Sequence, residues 1–510
     1  MIPEPQIAAA RARCARVEAA YVPRTVPDLL KAAAEDGRAA LDVFDRGERL
    51  SAADIARQSA RLARAFAARG IGPGDRVALM LPNRIDYPLL WLALAQCGAV
   101  HVPVNLRYTG AELSYVLKDA GACLLVADMS LDTVLNAVRA AGPGPTVSPE
   151  RLRQEAENHD DRPLDSAGIT PQTLLNIQYT SGTTGLPKGC MLSHDYWLRL
   201  AHAAAGWDTA PATRLLAVQP YFYMDPQWQT LKALMTGATL CLGPRLSASR
   251  YFDWARQTRA DWGQVPALAA RQAQPAGLSL RQVATFGWPE DLSRRFQAAT
   301  GAITREAYGM TEIGMGLWTP PEITAPTAGA VGLAAPFRKT AIRDADGRDA
   351  AEGELWVRGP AMLHGYWGRA DATAQAMPAG GWFRTGDLFR VDGQGMHWLV
   401  GRLKDMIRRA GENIAAREIE DAIRLLPAVA DAAAVAVPDP IRGEEVGLWV
   451  EVNEGATLTP REILAHAKAH LAAFKLPRYI AFTDAFPRTA SLKIAKTGLP
   501  PMDGAFDALA

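Results

Sequence analysis

Along most of its length the sequence keeps changing period. Short apolar, β-prone runs give way to amphipathic helical stretches and then return. That alternation limits the fold more than any other feature, because a strand, a helix and a second strand fold most readily as a parallel pair with the helix laid across it. "SAADIARQSARLARAFAARG", residues 51–70, has helical spacing with Ser51 placed to cap it. "DRVALMLPN" then reads as strand and turn, "YPLLWLALAQCGA" as a buried helix, "VHVPVN" as the next strand, and "AELSYVLKDAGACLLVAD" as helix then strand. The fold class expected is α/β, with parallel-rich sheets covered by helices.

At 510 residues the chain exceeds what one core usually organises. Its texture changes late. "GELWVRGP" and "GWFRTGDLFRVDGQGMHWLVGR" read as short β segments, a small β-barrel-like part of the larger domain. After "GRLKD" the pattern becomes helix ("AAREIEDAIRLL"), strand ("ADAAAVAVPD"), strand ("VGLWVEVNE") and helix ("PREILAHAKAHLAAF"), a small α+β unit. The expected domains are residues 1–401 and 402–510.

A formal net charge of +1 gives no overall pull toward nucleic acid or an anionic membrane. The five cysteines, Cys14, Cys97, Cys123, Cys190 and Cys241, are odd in number and none pairs at metal spacing, which reads as reduced thiols in the cytoplasm. The opening "MIPEPQIAAARARCARVEAA" places arginines and a glutamate where a signal peptide needs an apolar run, and no apolar stretch of about 20 residues could span a membrane.

Between the strand-like runs "LLNIQYT" and "CMLSH" lies a segment rich in glycine and hydroxyls: Thr180, Ser181, Gly182, Thr183, Thr184, Gly185, Leu186, Pro187, Lys188 and Gly189. A Walker loop needs a Ser or Thr after its lysine and a helix behind it; Gly189 follows here, with a strand. The physical logic survives, since glycines let N–H groups converge on phosphate oxygens while hydroxyls and a lysine add donors and charge. The plain alternative is a solvated linker.

"YTSGTTGLPKG" closely resembles the phosphate-binding signature of the adenylate-forming superfamily. "YGMTE" (308–312), "GELWVRGP" (353–360), "GWFRTGD" (381–387), "GRLKDMIRRAGENI" (401–414) and "PRTASLKIAK" (487–496) follow in the family's order, so the resemblance covers nearly the whole chain. It implies an AMP-forming acid–CoA ligase. A carboxylate attacks the α-phosphate of ATP, and the thiol of coenzyme A then displaces AMP.

By resemblance, Ser181, Gly182, Thr183, Thr184 and Lys188 meet the β- and γ-phosphates, with Thr180 beside them. Thr311 meets the α-phosphate and Glu312 holds Mg2+. Tyr308 stacks on adenine, with Gly287 and Gly309 lining the nucleotide site. Asp387 accepts the ribose hydroxyls, and Arg402 adds a ribose or phosphate contact. Lys493, in a C-terminal tail, matches the catalytic lysine that reaches the adenylation site, with Lys496 its competitor. Leu492 stands where the family usually has glycine. The resemblance also implies a small domain that rotates between half-reactions about Lys404. Its other face would carry Arg408, Arg409, Ala410 and Gly411 toward coenzyme A, although both arginines could equally be solvated surface.

The acyl pocket implied comprises Tyr221, Phe222, Tyr223, Met224, Asp225 and Trp228, then Phe286, Gly287 and Trp288, then Met310, Ile313, Gly314 and Met315. Bulky rings here disfavour a long fatty chain and favour a short, branched or ring-bearing acid. "PYFYMDPQWQ" also resembles carnitine/crotonobetaine–CoA ligases, so Asp225 with Trp228 and Trp288 could box a betaine. Alternatively the rings are wall packing and Asp225 caps a helix with Pro226 at its first position. Other functions left open are an adenylation enzyme that charges a carrier protein and a nucleotide-binding relative without catalysis. The partners implied are a small carboxylic acid, ATP and coenzyme A, with a homodimer common among relatives.

Overall fold

The computed structural model describes residues 2–509 apart from 143, 181–186, 273–275, 325–328, 410, 411, 472 and 489–492; at 272, 404, 408, 412 and 413 it describes the backbone alone. The chain packs into two compact units, one formed by Met1–Thr340 with Val357–Phe383, the other by Ala341–Trp356 with Arg384–Ala510.

Local sequence sets the first unit's elements. Helix Ala52–Ala68 starts at Ser51, whose hydroxyl accepts the Asp54 N–H while the Asp54 carboxylate accepts from the Ser51 N–H, a reciprocal cap. Helix Asp86–Cys97 is apolar all round and buried throughout. Between and around them run Arg76–Met80, Val100–Pro103 and Leu124–Ala127, mutually parallel, as the periodicity predicts. The sheet they build has the order Thr146–Val147, Leu124–Ala127, Arg76–Met80, Val100–Pro103, Leu174–Thr180, Lys188–Ser193. Only the last strand is antiparallel, forming a hairpin with Leu174–Thr180.

The unit's second sheet has a parallel centre, in the order Thr239–Leu242, Arg214–Ala217, Trp262–Gln264, Gln282–Thr285, Ile303–Met310. Ala40–Val43 extends one side, and antiparallel Gly314–Trp318 and Ala330–Ala334 extend the other. In open α/β sheets ligands gather beyond the carboxyl ends of the strands. Tyr221–Tyr223 follow Arg214–Ala217, Gly287 follows Gln282–Thr285, and Tyr308–Glu312 end Ile303–Met310, so the candidate residues share that edge.

In the second unit Glu352–Arg358, Phe383–Val391 and His397–Arg402 are sheet neighbours. Among the described residues no sheet closes on itself, so the barrel-like part expected from sequence is an open run of strands. Beyond the 3-10 turn Leu403–Asp405, strands Val429–Asp439 and Gly443–Val452 pair antiparallel, and helices Ala416–Ile423 and Pro460–His470 cover them. Ile407, Ile419, Ile423, Leu448, Val450 and Ile463 fill that core. No helix among the described residues is long and apolar enough to cross a membrane.

Candidate active site

The glycine-rich segment joins two strands, as its sequence predicts, with Thr180 paired to Lys188 across the hairpin. Ser181, Gly182, Thr183 and Thr184 lie outside the described residues, but both stems are described. Tyr115 donates to the carbonyl of Pro187 at 3.0 Å, and Tyr179 donates to Asp119 at 2.7 Å. Burial, then Asp119, pushes the Tyr179 hydroxyl above its ordinary pKa, so it stays a donor. Asp119 also pairs with Arg369, whose guanidinium donates to the Tyr115 hydroxyl at 3.2 Å. The two stems therefore share one brace. At Gly189 a side chain would stand 2.5 Å from Ile177, which keeps that stem glycine.

Lys188 turns its ammonium toward the face of Tyr366, 5.3 Å from the ring centre. The Tyr366 hydroxyl donates to Glu312 Oε1 at 2.9 Å. Glu312 is 7% exposed, and its backbone carbonyl accepts the Leu363 N–H. The Thr311 carbonyl accepts from Tyr196 at 2.8 Å. The fully buried Cys190, bridged across to Tyr366, lies beside Glu312; burial and then that carboxylate push its thiol well up, so it remains protonated. The cation expected at the phosphates and the carboxylate expected at the metal are thus gathered on one tyrosine. At Gly309 a Cβ would sit 2.4 Å from the Gly314 carbonyl, so the strand end carrying half-buried Tyr308 passes close to its neighbour. Gly287, at φ +71°, donates its N–H to the Glu306 carboxylate, which also accepts from Thr285 at 2.6 Å.

Tyr223, Met224, Asp225 and Met310 are half-buried. Tyr223 is the N-cap of helix Met224–Thr236, so Asp225 lies inside the first turn and Pro226 one residue further on. The reading of Asp225 as the cap is corrected: the chain enters the helix two residues earlier, and the carboxylate there complements the helix dipole instead. Trp228 meets Trp262 edge to face at 5.8 Å, and Trp288 meets Phe296 likewise at 5.3 Å within an apolar cluster. Both indoles are nearly buried against partners of their own. Met315 is buried, whereas Phe286 is exposed.

The second unit carries the other candidates. Asp387, 4% exposed, pairs with its cross-strand neighbour Arg402 at 2.9 Å. The preceding turn is fixed by Thr385, which donates to the Leu355 carbonyl at 2.7 Å, and by the Gly386 N–H on Glu354. Arg409 is engaged by fully buried Glu445 at 2.7 Å and by the Phe474 carbonyl. The Arg408 side chain and Ala410 and Gly411 lie outside the described residues, as does Leu492. Lys404 sits in the single 3-10 turn between strands His397–Arg402 and Met406–Arg409. Lys493 is exposed, whereas Lys496 is tied down inside its unit by Glu420 at 2.6 Å and the Ala434 carbonyl at 3.0 Å.

Sequence reasoning missed Tyr366, Asp119 and Tyr196. The available hint was the run "HGYW", an aromatic hydroxyl between glycine and tryptophan close after "GELWVRGP".

A family model described as AMP-binding enzyme matches residues 30–367, and one described as AMP-binding enzyme C-terminal domain matches residues 418–493. The chain is 33% identical over 464 residues to a long-chain-fatty-acid–CoA ligase of Mycobacterium tuberculosis, covering 86% of this chain and 90% of that one. It is 30% identical over 492 residues to a crotonobetaine/carnitine–CoA ligase of Citrobacter koseri, covering 90% and 95%. The crystal structure of ATP-bound MatB from Rhodopseudomonas palustris superposes with a TM-score of 0.84 at 28% identity, covering 93% and 98%.

Proposed function

The chain belongs to the AMP-binding enzyme family and is an ATP-using acid–CoA ligase; we propose that its acid is short, branched, aromatic or of betaine type, and that the residues above carry the reaction. Lys188, with Ser181, Gly182, Thr183 and Thr184, holds the outer phosphates, and Thr311 the inner one. A carboxylate oxygen of the acid attacks the α-phosphorus. The bond to the bridging oxygen breaks, and pyrophosphate leaves with the electron pair. The sulfur of coenzyme A then attacks the acyl carbon, sheds its proton to solvent, and AMP leaves with the C–O electrons. Both steps bring negative groups together, so fixed positive charge and N–H dipoles are what the site must supply.

Glu312 fits a hard cation: it is a buried carboxylate already oriented by a hydroxyl. No cluster of three or more His, Cys, Asp or Glu forms a cage among the described residues, which suits Mg2+ with phosphate oxygens and water as its other ligands. When bound, Mg2+ neutralises phosphate charge. Asp387 takes the ribose hydroxyls with Arg402 beside it. Lys493 supplies the mobile cation for adenylation, with the domains divided at 401/402 and hinged at Lys404. Arg408 and Arg409 line the approach of coenzyme A. All five cysteines are free thiols, which supports work in the reducing cytoplasm.

The observation that carries this reading is Tyr366, which sets Lys188 and Glu312 on one ring at the carboxyl edge of the sheets. Half-buried Tyr223, Met224 and Met310 support a short pocket. The relatives' names do not choose the acid, since one names a long fatty chain and another a betaine. A panel of short fatty acids, benzoates, betaines and long fatty acids, with ATP and coenzyme A and read as AMP release, tests the proposal. Release confined to long chains would refute the pocket, and silence with every trimethylammonium acid would remove the betaine. Release only when a phosphopantetheinylated carrier protein replaces coenzyme A would move the acceptor.

A further inference from the structure

We infer that two buried amides, Gln178 and Gln227, are positioning residues that set the shape of the acid site by holding three consecutive carbonyls of its wall. The inference rests on the reading above that Tyr221–Tyr223 line that site. Gln227 donates to the carbonyls of Tyr221 and Tyr223 at 3.1 and 3.0 Å, and Gln178 donates to that of Phe222, between them, at 2.8 Å. The turn that presents Tyr223 therefore has all three carbonyl oxygens satisfied by two side chains.

A directional chain stands behind those amides. The Trp91 indole N–H, which can only donate, meets Asn176 Oδ1 at 3.0 Å and so fixes which way that amide faces. Asn176 Nδ2 then turns to Gln227 Oε1 at 2.8 Å, with His101 Nδ1 at 3.1 Å and Gln178 Oε1 at 3.3 Å sharing its second hydrogen. With their oxygens used in this way, both glutamines point their NH2 groups at the turn. Burial holds the His101 pKa down at about 3, so the ring is neutral, and because the Asn176 NH2 can only donate, Nδ1 is the ring nitrogen that accepts. Gln178 and Asn176 lie on strand Leu174–Thr180, which runs directly into the phosphate-binding segment. The wall of the acid site and the stem of the phosphate loop thus hang on one network.

The placement argues for more than core filling. Positions on a buried strand are met most cheaply by Ile, Val or Leu, and buried amides are tolerated only when fully satisfied. Methionine at either glutamine would keep the bulk but leave buried carbonyls without donors, and the turn would shift to find water or new partners. Because Tyr223 opens helix Met224–Thr236, such a shift moves the ring that we read as facing the acid, while the strand's own ladder hydrogen bonds still hold the stem of the phosphate segment.

The test compares wild type with Gln227→Met and Gln178→Met using two acids of different bulk, butyrate and benzoate. The expected result is a change of about tenfold or more in the ratio of their kcat/KM values, with KM for ATP kept within about twofold. A purely structural role lowers the amount of folded enzyme and scales both acids equally, so it cannot move that ratio. An unchanged ratio in variants that melt like wild type would overturn the inference. If Gln227→Met does not fold, Gln178→Met, which frees only one carbonyl, reads the same ratio. Crystal structures of the variants read the turn without any acid. Displacement of Tyr223 by about 1 Å, enough to alter catalysis, supports the inference, and an unmoved turn refutes it. Should wild type release AMP with no acid at all, the ligase reading fails while these crystals still decide the role of the glutamines.

Discussion

Tyr366 donates its hydroxyl to Glu312 Oε1 at 2.9 Å while its ring face receives the ammonium of Lys188 at 5.3 Å. Two charges of opposite sign, from segments far apart in sequence, are held by one neutral side chain. Burial and the nearby carboxylate push the Tyr366 hydroxyl above its ordinary pKa, so it remains a donor across the working range. The carboxylate and the ammonium that we propose meet the metal and the phosphates are therefore held against one side chain.

Tyr366→Phe separates the two contacts, since it keeps the ring under Lys188 and removes only the donor to Glu312. A hydrogen bond to a charged group contributes about 1.5–3 kcal/mol. The expected outcome is a fall of roughly 10- to 100-fold in kcat/KM for Mg-ATP. Tyr366→Leu loses the cation–π contact as well and falls further. Pyrophosphate exchange measured over a range of Mg2+ concentrations checks this, together with the rise in melting temperature that Mg-ATP induces. A Phe variant matching wild type in both would refute the role.

The two tail lysines separate by exposure. Lys496 is bound to Glu420 and to a backbone carbonyl within its unit, whereas Lys493 is exposed. Lys493→Ala is expected to cut adenylation by about 100-fold or more, as loss of a transition-state cation does, and to leave melting unchanged. Lys496→Ala takes the nearest cation from the mostly buried Glu420 carboxylate, which keeps Arg424 at 3.6 Å and the Ala434 N–H, and is expected to cost about 1–2 kcal/mol of stability. Exchange rates and urea midpoints on both variants decide the assignment, and the reverse pattern would transfer the catalytic role to Lys496.

What the sequence made legible was local. Ser51 announced its helix because the cap and its partner Asp54 are three residues apart. The hairpin around the glycines was readable because β-prone residues flank it on both sides. Tyr366 was not readable, because its partner Glu312 lies 54 residues away and a tyrosine between glycine and tryptophan gives no periodic signal. Asp225 misled for the same kind of reason: an acid before a proline is a good cap by propensity, but the path of the chain out of Pro220 starts the helix at Tyr223. Asn176 and Gln178 were visible as amides in an apolar strand, yet the carbonyls they serve belong to a turn that only the folded sheet brings near.

Histidine burial predicts an acid-sensitive stability. The folded pKa of His101 is held at about 3 and that of His194 at about 4, both by burial, against an unfolded value of about 6.5. As pH falls the unfolded chain takes up these protons first. The stabilising contribution of each is therefore complete above about pH 6.5 and is lost between there and its folded value, at roughly 1.4 kcal/mol per pH unit. From pH 7.5 to 5.0, where most carboxylates stay ionised, each histidine is expected to remove on the order of 2 kcal/mol. Urea unfolding at the two pH values checks this. His101→Gln is expected to remove on the order of 2 kcal/mol of the loss, and an equal slope in both proteins would show that His101 does not titrate on unfolding.

The deepest charge in the larger unit allows a sharper stability test. Lys232 is fully buried on helix Met224–Thr236, with its ammonium 2.7 Å from Asp208 and 4.2 Å from the centre of the Trp262 ring. Burial pushes the lysine pKa down and the aspartate pKa up, and each partner opposes the shift in the other. Such a pair adds little net stability, yet removing one half strands the other charge away from water. Lys232→Met is therefore expected to destabilise the fold by about 3–5 kcal/mol, while Lys232→Met with Asp208→Leu recovers most of that loss because the charge and its desolvation cost leave together. Urea midpoints of the two single variants and the double variant, followed by tryptophan fluorescence, measure the coupling directly. If the single changes simply add, the pair does not act as a unit, and the helix that opens at Tyr223 owes its seat to apolar packing alone.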